Sequence, residues 1–348
     1  MAKAGGARAE PNLRVMVTGG AGYVGSACVR ALLKAGHQAW ALDDLSAGHA
    51  ASVPAGRLFQ GDIRDAESMA GRMRRLDING VIHAAALASV PESLEDPDGY
   101  WSVNLDGTRA VLQAMRAAGA HRLVMSSTAA VYRSGLPAPI CEDDPLDPAT
   151  PYGASKLAAE LAARDHARRH GLDVVALRYF NAAGADADGR HGEARAHETH
   201  AIPLLLDAAL GRRKAFEIFG SRWPTPDGSC VRDYVSITDL ARAHVLALTA
   251  RLEAPFTVCN LGAGAGVSVR ELVEAVRRIT GRPVPVREAA PRPGDPAMLV
   301  ADIRHAGRVL GWQPEHSSLD AILSSAWTWR RSHPGGYGAL AAPGSAAS

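Results

Sequence analysis

The chain has few of the residues that mark unusual compartments or metal chemistry. Its four cysteines, Cys28, Cys141, Cys230 and Cys259, are far apart, with no C-x-x-C pair and no metal-ligand spacing. That pattern gives no disulfide framework and reads as free thiols in a reducing compartment. The first dozen residues carry Lys3 and Arg8 but no apolar core, and no run of about 18 apolar residues follows. A cytoplasmic protein with no membrane partner is therefore expected. Net charge is only +2 and the arginines are scattered, so no nucleic-acid groove is expected and small molecules are the better partners. His191, His197 and His200 lie close together, but in a Gly- and Ala-rich polar stretch that reads as a loop; no metal is expected. With 47% apolar and 21% charged content in 348 residues, the chain can bury one large core or two joined ones.

Lysine is scarce, and one of its few occurrences is informative. Of 38 basic residues only four are Lys (Lys3, Lys34, Lys156 and Lys214), and among seven tyrosines only Tyr152 has Lys at the fourth position after it. In Pro151-Tyr152-Gly153-Ala154-Ser155-Lys156 the phenol and the ammonium stand one helical turn apart. A protonated Lys lowers the pKa of a neighbouring Tyr, which makes the phenol a usable base near neutrality.

Such a base needs a reaction partner, and the start of the chain supplies a place for one. An apolar strand pattern at 13–18 runs into Gly19-Gly20-Ala21-Gly22-Tyr23-Val24-Gly25, and a helical pattern follows at 26–35. Gly19, Gly22 and Gly25 are spaced three apart, and each missing side chain lets backbone N–H groups and the helix N-terminus approach a pyrophosphate. A second strand ends in Asp43, 24 residues after Gly19. A carboxylate there accepts hydrogen bonds from ribose hydroxyls and repels a 2′-phosphate, so NAD is favoured over NADP.

Further strand patterns at 57–60, 81–86, 122–127 and 173–179 are separated by helical patterns near 65–75, 100–118 and 153–170. This alternation predicts an α/β fold with a doubly wound, parallel Rossmann sheet over 12–181. A smaller mixed α/β substrate domain is expected over 182–333, with about 235–262 returning to the first domain. Residues 1–11 and 335–348 are expected to be flexible tails.

These residues resemble the extended short-chain dehydrogenase/reductases and, within them, the UDP-glucose (UDP-galactose) 4-epimerases. The likeness runs over about residues 13–334 and rests on many ordered matches. They include the glycine turn, Gly61-Asp62-Ile63-Arg64, Asn104 before Gly107-Thr108, and Ser126-Ser127-Thr128 leading to Val131-Tyr132. Beyond the Tyr152 motif come Leu177-Arg178-Tyr179-Phe180-Asn181, Asp227-Gly228, Val231-Arg232-Asp233-Tyr234, Asn260-Leu261-Gly262 and Leu310-Gly311-Trp312.

The resemblance implies that NAD is held tightly and that the C4 hydroxyl of a UDP-hexose is oxidised to a ketone. The keto-sugar then turns about its diphosphate and is reduced on its other face. It gives Tyr152 the role of base, Lys156 that of charge stabiliser and ribose holder, and Thr128 a hydrogen bond to the 4-oxygen. It extends the cofactor set to Tyr23, Val24, Asp62, Ile63, Ala84, Ala85, Ala86, Asn104, Ser126 and Tyr179. For substrate it implies Arg232, Arg292 and Asn181 on the diphosphate, Ile218 and Phe219 at the uracil, and His200, Asp295 and Leu299 nearby.

Several positions depart from the common pattern. Ala84, Ala86 and Ala88 replace Phe, Gly and Lys, Arg133 replaces Gly, and His200 stands where many members place Asn. Leu299 is of intermediate bulk at the position that gates the sugar. Ala129 and Ala130 follow Thr128, where sugar dehydratases carry Asp and Glu, so dehydration lacks its acid. A UDP-pentose (xylose/arabinose) 4-epimerase needs the same catalytic residues and stays open, as does a catalytically silent NAD(H) sensor on the same fold. The Ala- and Leu-rich helices near 100–118 and 153–170 are expected, by resemblance, to pair two subunits into a homodimer.

Overall fold

The computed structural model describes residues 12–292 and 294–338. A seven-stranded parallel sheet forms its larger part. The strands are β1 Arg14–Thr18, β2 Gln38–Asp43, β3 Leu58–Gln60, β4 Gly80–His83, β5 Arg122–Thr128 and β6 Asp173–Tyr179, with a late arrival described below. Val15, Met16, Val17, Val81, Ile82, Leu123, Val124, Val174 and Val175 are fully buried. Apolar residues on both strand faces are what a parallel sheet covered by helices on each side requires.

After β6 the chain leaves this sheet for β7 Asn181–Ala183, β8 Phe216–Phe219 and β9 Val231–Ser236. It then returns with β10 Phe256–Leu261, which pairs with β6 and completes the order β10-β6-β5-β4-β1-β2-β3. Strand order reverses beside β1, which has β2 on one side and β4 on the other. The crevice outside the strand ends at such a reversal is the place where α/β sheets bind nucleotides.

Two apolar layers enclose the sheet. Helices Tyr23–Lys34 and Ile237–Thr249, with Ala306, Leu310 and Trp312, pack on Val15, Val17, Ile82 and Val124. On the other face Met69, Met73, Val111, Met115, Ala159 and Ala163 pack on Met16, Val81, Leu123 and Met125. A third core joins helices Ala201–Ala209, Val269–Thr280 and Leu319–Ser332 to Phe216, Ile218 and Tyr234. There β9 sits between β11 Gly266–Ser268 and β13 Met298–Leu299 and also pairs with β7, while β12 Val286–Ala289 pairs with β8.

Several boundaries differ from the sequence pattern. The strand expected at 81–86 ends at His83, and residues 84–86 leave the ladder as a loop. The single helix expected at 100–118 is instead Pro97–Trp101, a π-helical turn at Ser102–Asp106 and Gly107–Ala118. A widened turn lets one residue project differently from its neighbours, and the residue at its centre is Asn104. Of the stretch expected to be a flexible tail from 335, Tyr337 is held in place: its hydroxyl and the Gly192 backbone exchange 3.1 Å hydrogen bonds. Residues 1–11 and 339–348 lie outside the described residues.

Trp312 is fully buried and donates its indole N–H to the Asp239 carbonyl at 2.9 Å. Trp312→Ala would remove both the packing and that bond, and is expected to cost about 3–5 kcal/mol, read as a lower urea midpoint.

Candidate active site

The groove at the sheet reversal is assembled by close backbone approach. Gly19 follows β1 with φ +66°, and a Cβ on it would lie against the Ala85 backbone. A Cβ on Gly25 would overlap the Gly19 carbonyl oxygen. Without those side chains the Tyr23–Lys34 helix starts directly at the sheet edge. Its N-cap, Gly22, supplies no capping side chain, and its first turn holds no acid. The first N–H groups are thus left for an external anion, with the helix dipole favouring negative charge. Gly22, Tyr23, Val24 and Gly25 contribute that N-terminus.

Asp43, the last residue of β2, accepts from Ala21 N–H at 2.9 Å and Leu45 N–H at 2.8 Å. Burial raises its pKa while those N–H groups pull it down. Each oxygen keeps a lone pair for a ribose hydroxyl. Asp62 stands after β3 in an ion pair with Arg64 at 2.5 Å. Its hydrogen bond to Arg64 holds the carboxyl below its usual range. The Ile63 side chain is buried, and Gly107 is packed against its tip, so Ile63 offers the groove its backbone alone.

Ala84, Ala85 and Ala86 line the loop after β4. Asn104 pins that loop: it accepts from Leu87 N–H at 2.9 Å and donates to Leu87 O and to Ser155 Oγ, each at 3.0 Å. Both amide hydrogens are therefore engaged by protein, and Asn104, expected to line the cofactor groove, holds the groove's loop in place. Beneath it Thr18, His83 and Thr108 form a buried chain, with Oγ1···Nδ1 2.7 Å and Nε2···Oγ1 2.9 Å. Thr108 donates to Asn104 O at 2.6 Å, so His83 must donate from Nε2 and accept at Nδ1. Burial, and then Lys156, hold His83 neutral by lowering its pKa to about 3.

The chemistry-bearing side chains meet at the ends of β5 and β6. Thr128 closes β5, opposite Tyr179 at the end of β6. Tyr152 is the second residue of helix Pro151–His170, whose N-cap Thr150 accepts from Gly153 N–H at 3.2 Å. Lys156 follows one turn later and is 2% exposed. Burial lowers its pKa to about 8, with Glu160 acting in the opposite direction.

The Tyr152 phenol behaves differently from the sequence expectation. Burial pushes its pKa up, and Thr128 and Arg195 pull it only partly back. Desolvation thus outweighs those two partners, and positive charge close to the phenol is what would let Tyr152 act as a base near neutrality. Tyr100 meets the Tyr152 ring edge-on at 6.3 Å. Ser126 lies within 3.2 Å of His244 Nε2, and the Tyr179 hydroxyl is pushed up by burial and pulled down by Ser126.

The sequence of the NAD dependent epimerase/dehydratase family matches residues 15–262. The chain belongs to this family. It is 49% identical to a UDP-glucose 4-epimerase of Streptomyces lividans, over 93% of this chain and 98% of that protein. The crystal structure of UDP-glucose 4-epimerase from Brucella ovis in complex with NAD superposes with TM-score 0.87 at 43% identity, covering 90% and 97% of the two chains. The UDP-glucose-4-epimerase of Stenotrophomonas maltophila, solved with bound NAD and formylated UDP-arabinopyranose, gives 0.89 at 38%, covering 92% and 99%.

In this family member the residues expected at the substrate are brought around β7, β8, β9 and β13. Asn181 donates to Asp233 O at 2.9 Å. Arg232 donates to Val231 O and Pro296 O at 2.9 and 2.8 Å and stands 3.8 Å from Asp295. Arg292 lies flat over the Phe219 ring, 3.7 Å from its centroid. Ile218 is a correction. Alternation along β8 turns Phe219 outward and Ile218 into the third core, where it is 3% exposed. Only its backbone can meet a base. Leu299 is half-buried beside Phe180 and Ile140.

His200 Nδ1 stands 2.7 Å from Glu193 Oε1. Burial opposes its charge, but the Glu193 carboxylate holds its pKa above the usual value. The three histidines of the loop do not converge. His191 is buried against Tyr23 O and Ser26 Oγ, both at 2.9 Å, and His197 is exposed. Glu193, Glu198 and His200 do come within 4.8 Å of one another, and Arg195, 2.8 Å from Glu193, supplies them with a cation.

Residues that the sequence reading left without a role are as telling. Glu160, Arg178 and Asp233 are buried charges inside or beside recognised motifs; the available signal was a charge among apolar strand residues for Arg178 and Asp233, and the one-turn spacing from Lys156 for Glu160. Glu193 and Arg195 carried no such signal, because the loop has no periodicity.

Gly25→Ala is expected to abolish NAD retention, since the new methyl must displace the Gly19 carbonyl. The check is the nucleotide released on denaturing the purified protein, with Gly36→Ala, which meets nothing within 4 Å but has φ +85°, as a control for ordinary backbone strain.

Proposed function

We propose that this chain inverts C4 of a UDP-hexose, interconverting UDP-glucose and UDP-galactose with NAD as a retained cofactor. The observation that carries the reading is the convergence of Thr128, Tyr152 and Lys156 beside an uncapped helix N-terminus with Asp43 at the neighbouring strand end. The residues fit NAD: the free N–H groups take the pyrophosphate, Asp43 takes the adenosine ribose, and the loop at 84–86 lines the groove. Asp62, the Ile63 backbone, Ser126 and Tyr179 complete the cofactor set. Bound NAD supplies the hydride acceptor and donor, and its positive ring supplies the charge that Tyr152 lacks.

Tyr152 then removes the 4-OH proton, while Thr128 hydrogen-bonds the same oxygen and Lys156 stabilises the phenolate. Arg232 and Arg292 hold the diphosphate about which the keto-sugar turns, with Asn181 and Asp295 beside them and Phe219 against the uracil. Arg292 must leave the Phe219 face for the base to stack there. His200 and Leu299 bound the sugar. Tyr152 returns the proton to the oxygen of the inverted centre, so no net redox change occurs. Ala129 is buried in the turn after Thr128 and Ala130 follows it, so no carboxylate stands where an elimination would need one.

A UDP-pentose is the second reading, favoured by one fact: a UDP-arabinopyranose derivative occupies the Stenotrophomonas maltophila epimerase. We place residues 182–333, apart from the return at about 235–262, as the sugar-binding domain, and the protein in the cytoplasm on the strength of its four free cysteines. No described helix is long and apolar enough to cross a membrane. Two copies are expected to pair through helices Gly107–Ala118 and Pro151–His170, on the second of which Leu161 is 43% exposed.

Incubation with UDP-galactose, UDP-N-acetylgalactosamine and UDP-arabinose, with and without added NAD, followed by NMR of the anomeric protons, tests the reaction. The 4-epimer of UDP-galactose should form without accumulating NADH, and Tyr152→Phe should lower kcat by about 10²–10⁴ with NAD still bound. No conversion of any of the three by NAD-loaded protein would overturn the reading. In light scattering the protein should run at twice the chain mass, and Leu161→Glu should halve it.

A further inference from the structure

Behind the catalytic pair lies a buried ionic network that the proposed reaction does not use directly. Tyr152, Lys156 and Glu160 recur every four residues on one face of helix Pro151–His170, and Lys156 and Glu160 are each 2% exposed. Arg178 on β6 reaches Glu160 in a two-pronged pair, Nε to Oε1 at 3.0 Å and Nη2 to Oε2 at 2.6 Å. Ser127 on β5 donates to the same carboxylate. On its far side Arg178 donates to Tyr132 Oη at 3.0 Å and Glu142 O at 3.3 Å, and Tyr132 donates to Asn260 at 2.7 Å. Glu160 is thus paired with Arg178 and lies one helical turn beyond Lys156, whose charge it favours. Lys156 itself makes no ion pair among the described residues.

We propose that Glu160 is a positioning residue: the counter-ion, shared with Arg178, that keeps the Lys156 ammonium charged and seated beside Tyr152. The role deepens the epimerase reading and rests on it for its catalytic meaning, but the charge state of Lys156 can be measured without it. Without Glu160, Lys156 and Arg178 would be like charges in one dry volume, and the amine is the one that can shed a proton. The pair also fixes the helix to the two strands that end in Thr128 and Tyr179, because Ser127 and Arg178 are their immediate predecessors. The other titratable groups around the pair cannot substitute. His83 on β4 is held neutral, Tyr100, Tyr132 and Tyr179 have raised pKa values, Glu142 reaches the network through Asn260, and Arg195 adds only positive charge.

The scarcity of lysine makes the test direct. With ¹⁵N-lysine the whole chain gives signals from only four side-chain amines, and Lys156→Met identifies the one that matters. In the NAD-loaded protein Glu160→Gln should move the Lys156 titration down by about one pH unit or more, whereas Arg178→Met, which frees the carboxylate for Lys156, should move it up. The basic limb of the kcat–pH profile should move the same way in each variant. If Glu160→Gln fails to fold, the double variant Glu160→Gln/Arg178→Met removes both members of the buried pair, leaves Lys156 as the one charge there and should still show the downward move. Titrations unchanged from the wild type, or both single variants moving in the same direction, would overturn the proposal. A loss of epimerase activity in the wild type would leave the titrations readable and would count against the reaction alone.

Discussion

How closely the Tyr23–Lys34 helix approaches the end of the parallel sheet is the constraint on which the site depends. A helix that starts against a strand end must bring backbone to backbone, and here it does so at Gly19, Gly20 and Gly25, where any Cβ would overlap Ala85, Ala41 or the Gly19 carbonyl. The approach fixes three things together. It points unpaired N–H groups into the crevice, carries Ala21 N–H to within 2.9 Å of Asp43, and sets the 84–86 loop as the opposite wall. Asn104 then holds that wall from the far side, and the neutral His83 supports the floor.

Buried carboxylates tie the rest of the molecule to this groove, and their partners decide what each can do. Asp233 on β9 is fully buried and accepts from the N–H groups of Ala263, Gly264 and Ala301 at 2.6, 3.1 and 3.1 Å. Asp239 accepts from Glu315 N–H, His316 N–H and Ser317 Oγ at 3.1, 2.7 and 2.6 Å. Those N–H groups and the Ser317 hydroxyl do not titrate near neutrality, and the Arg242 guanidinium 3.6 Å from Asp239 keeps its charge, so these two acids join distant segments. Glu160 is likewise paired with a guanidinium but stands one turn from an amine whose charge can change. The same buried charge is a staple in one setting and an electrostatic control in another.

Local rules carried most of the scaffold. The apolar strand patterns and the glycine turn are short-range signals, and the parallel sheet with its reversal beside β1 follows from them. So does the start of helix Pro151–His170, because Thr150 and Pro151 spell a cap and a first turn. What local rules missed is long-range. Ile218 and Phe219 are equally apolar in the sequence, and only the third core decides which one faces it. Asn104 reads as a polar lining residue until the π-helical turn points it at Leu87 and Ser155. The balance between burial and charge at Tyr152 depends on how deeply the helix sinks, which spacing alone does not encode.

The loop at 184–200 shows the same limit most clearly and has its own consequence for the site. It has no periodicity, yet four side chains from remote positions hold it. Tyr23 donates to Gly184 O at 2.7 Å, His49 contacts Ala194 O at 3.0 Å, and Trp329 donates to Glu193 O at 3.0 Å. Tyr337 clasps Gly192 from the end of the described chain. These bonds are to backbone and fix the path of the loop; of its side chains Asp186 and His191 reach out to Arg30, Tyr23 O and Ser26 Oγ, while Glu193 pairs within the loop, with Arg195 and His200. A His at position 200 is therefore not equivalent to the Asn common in the resembling sequences. It pairs with Glu193 and stands just before the Ala201–Ala209 helix, so in the role proposed for it at the sugar its charge would be set by the loop that carries it.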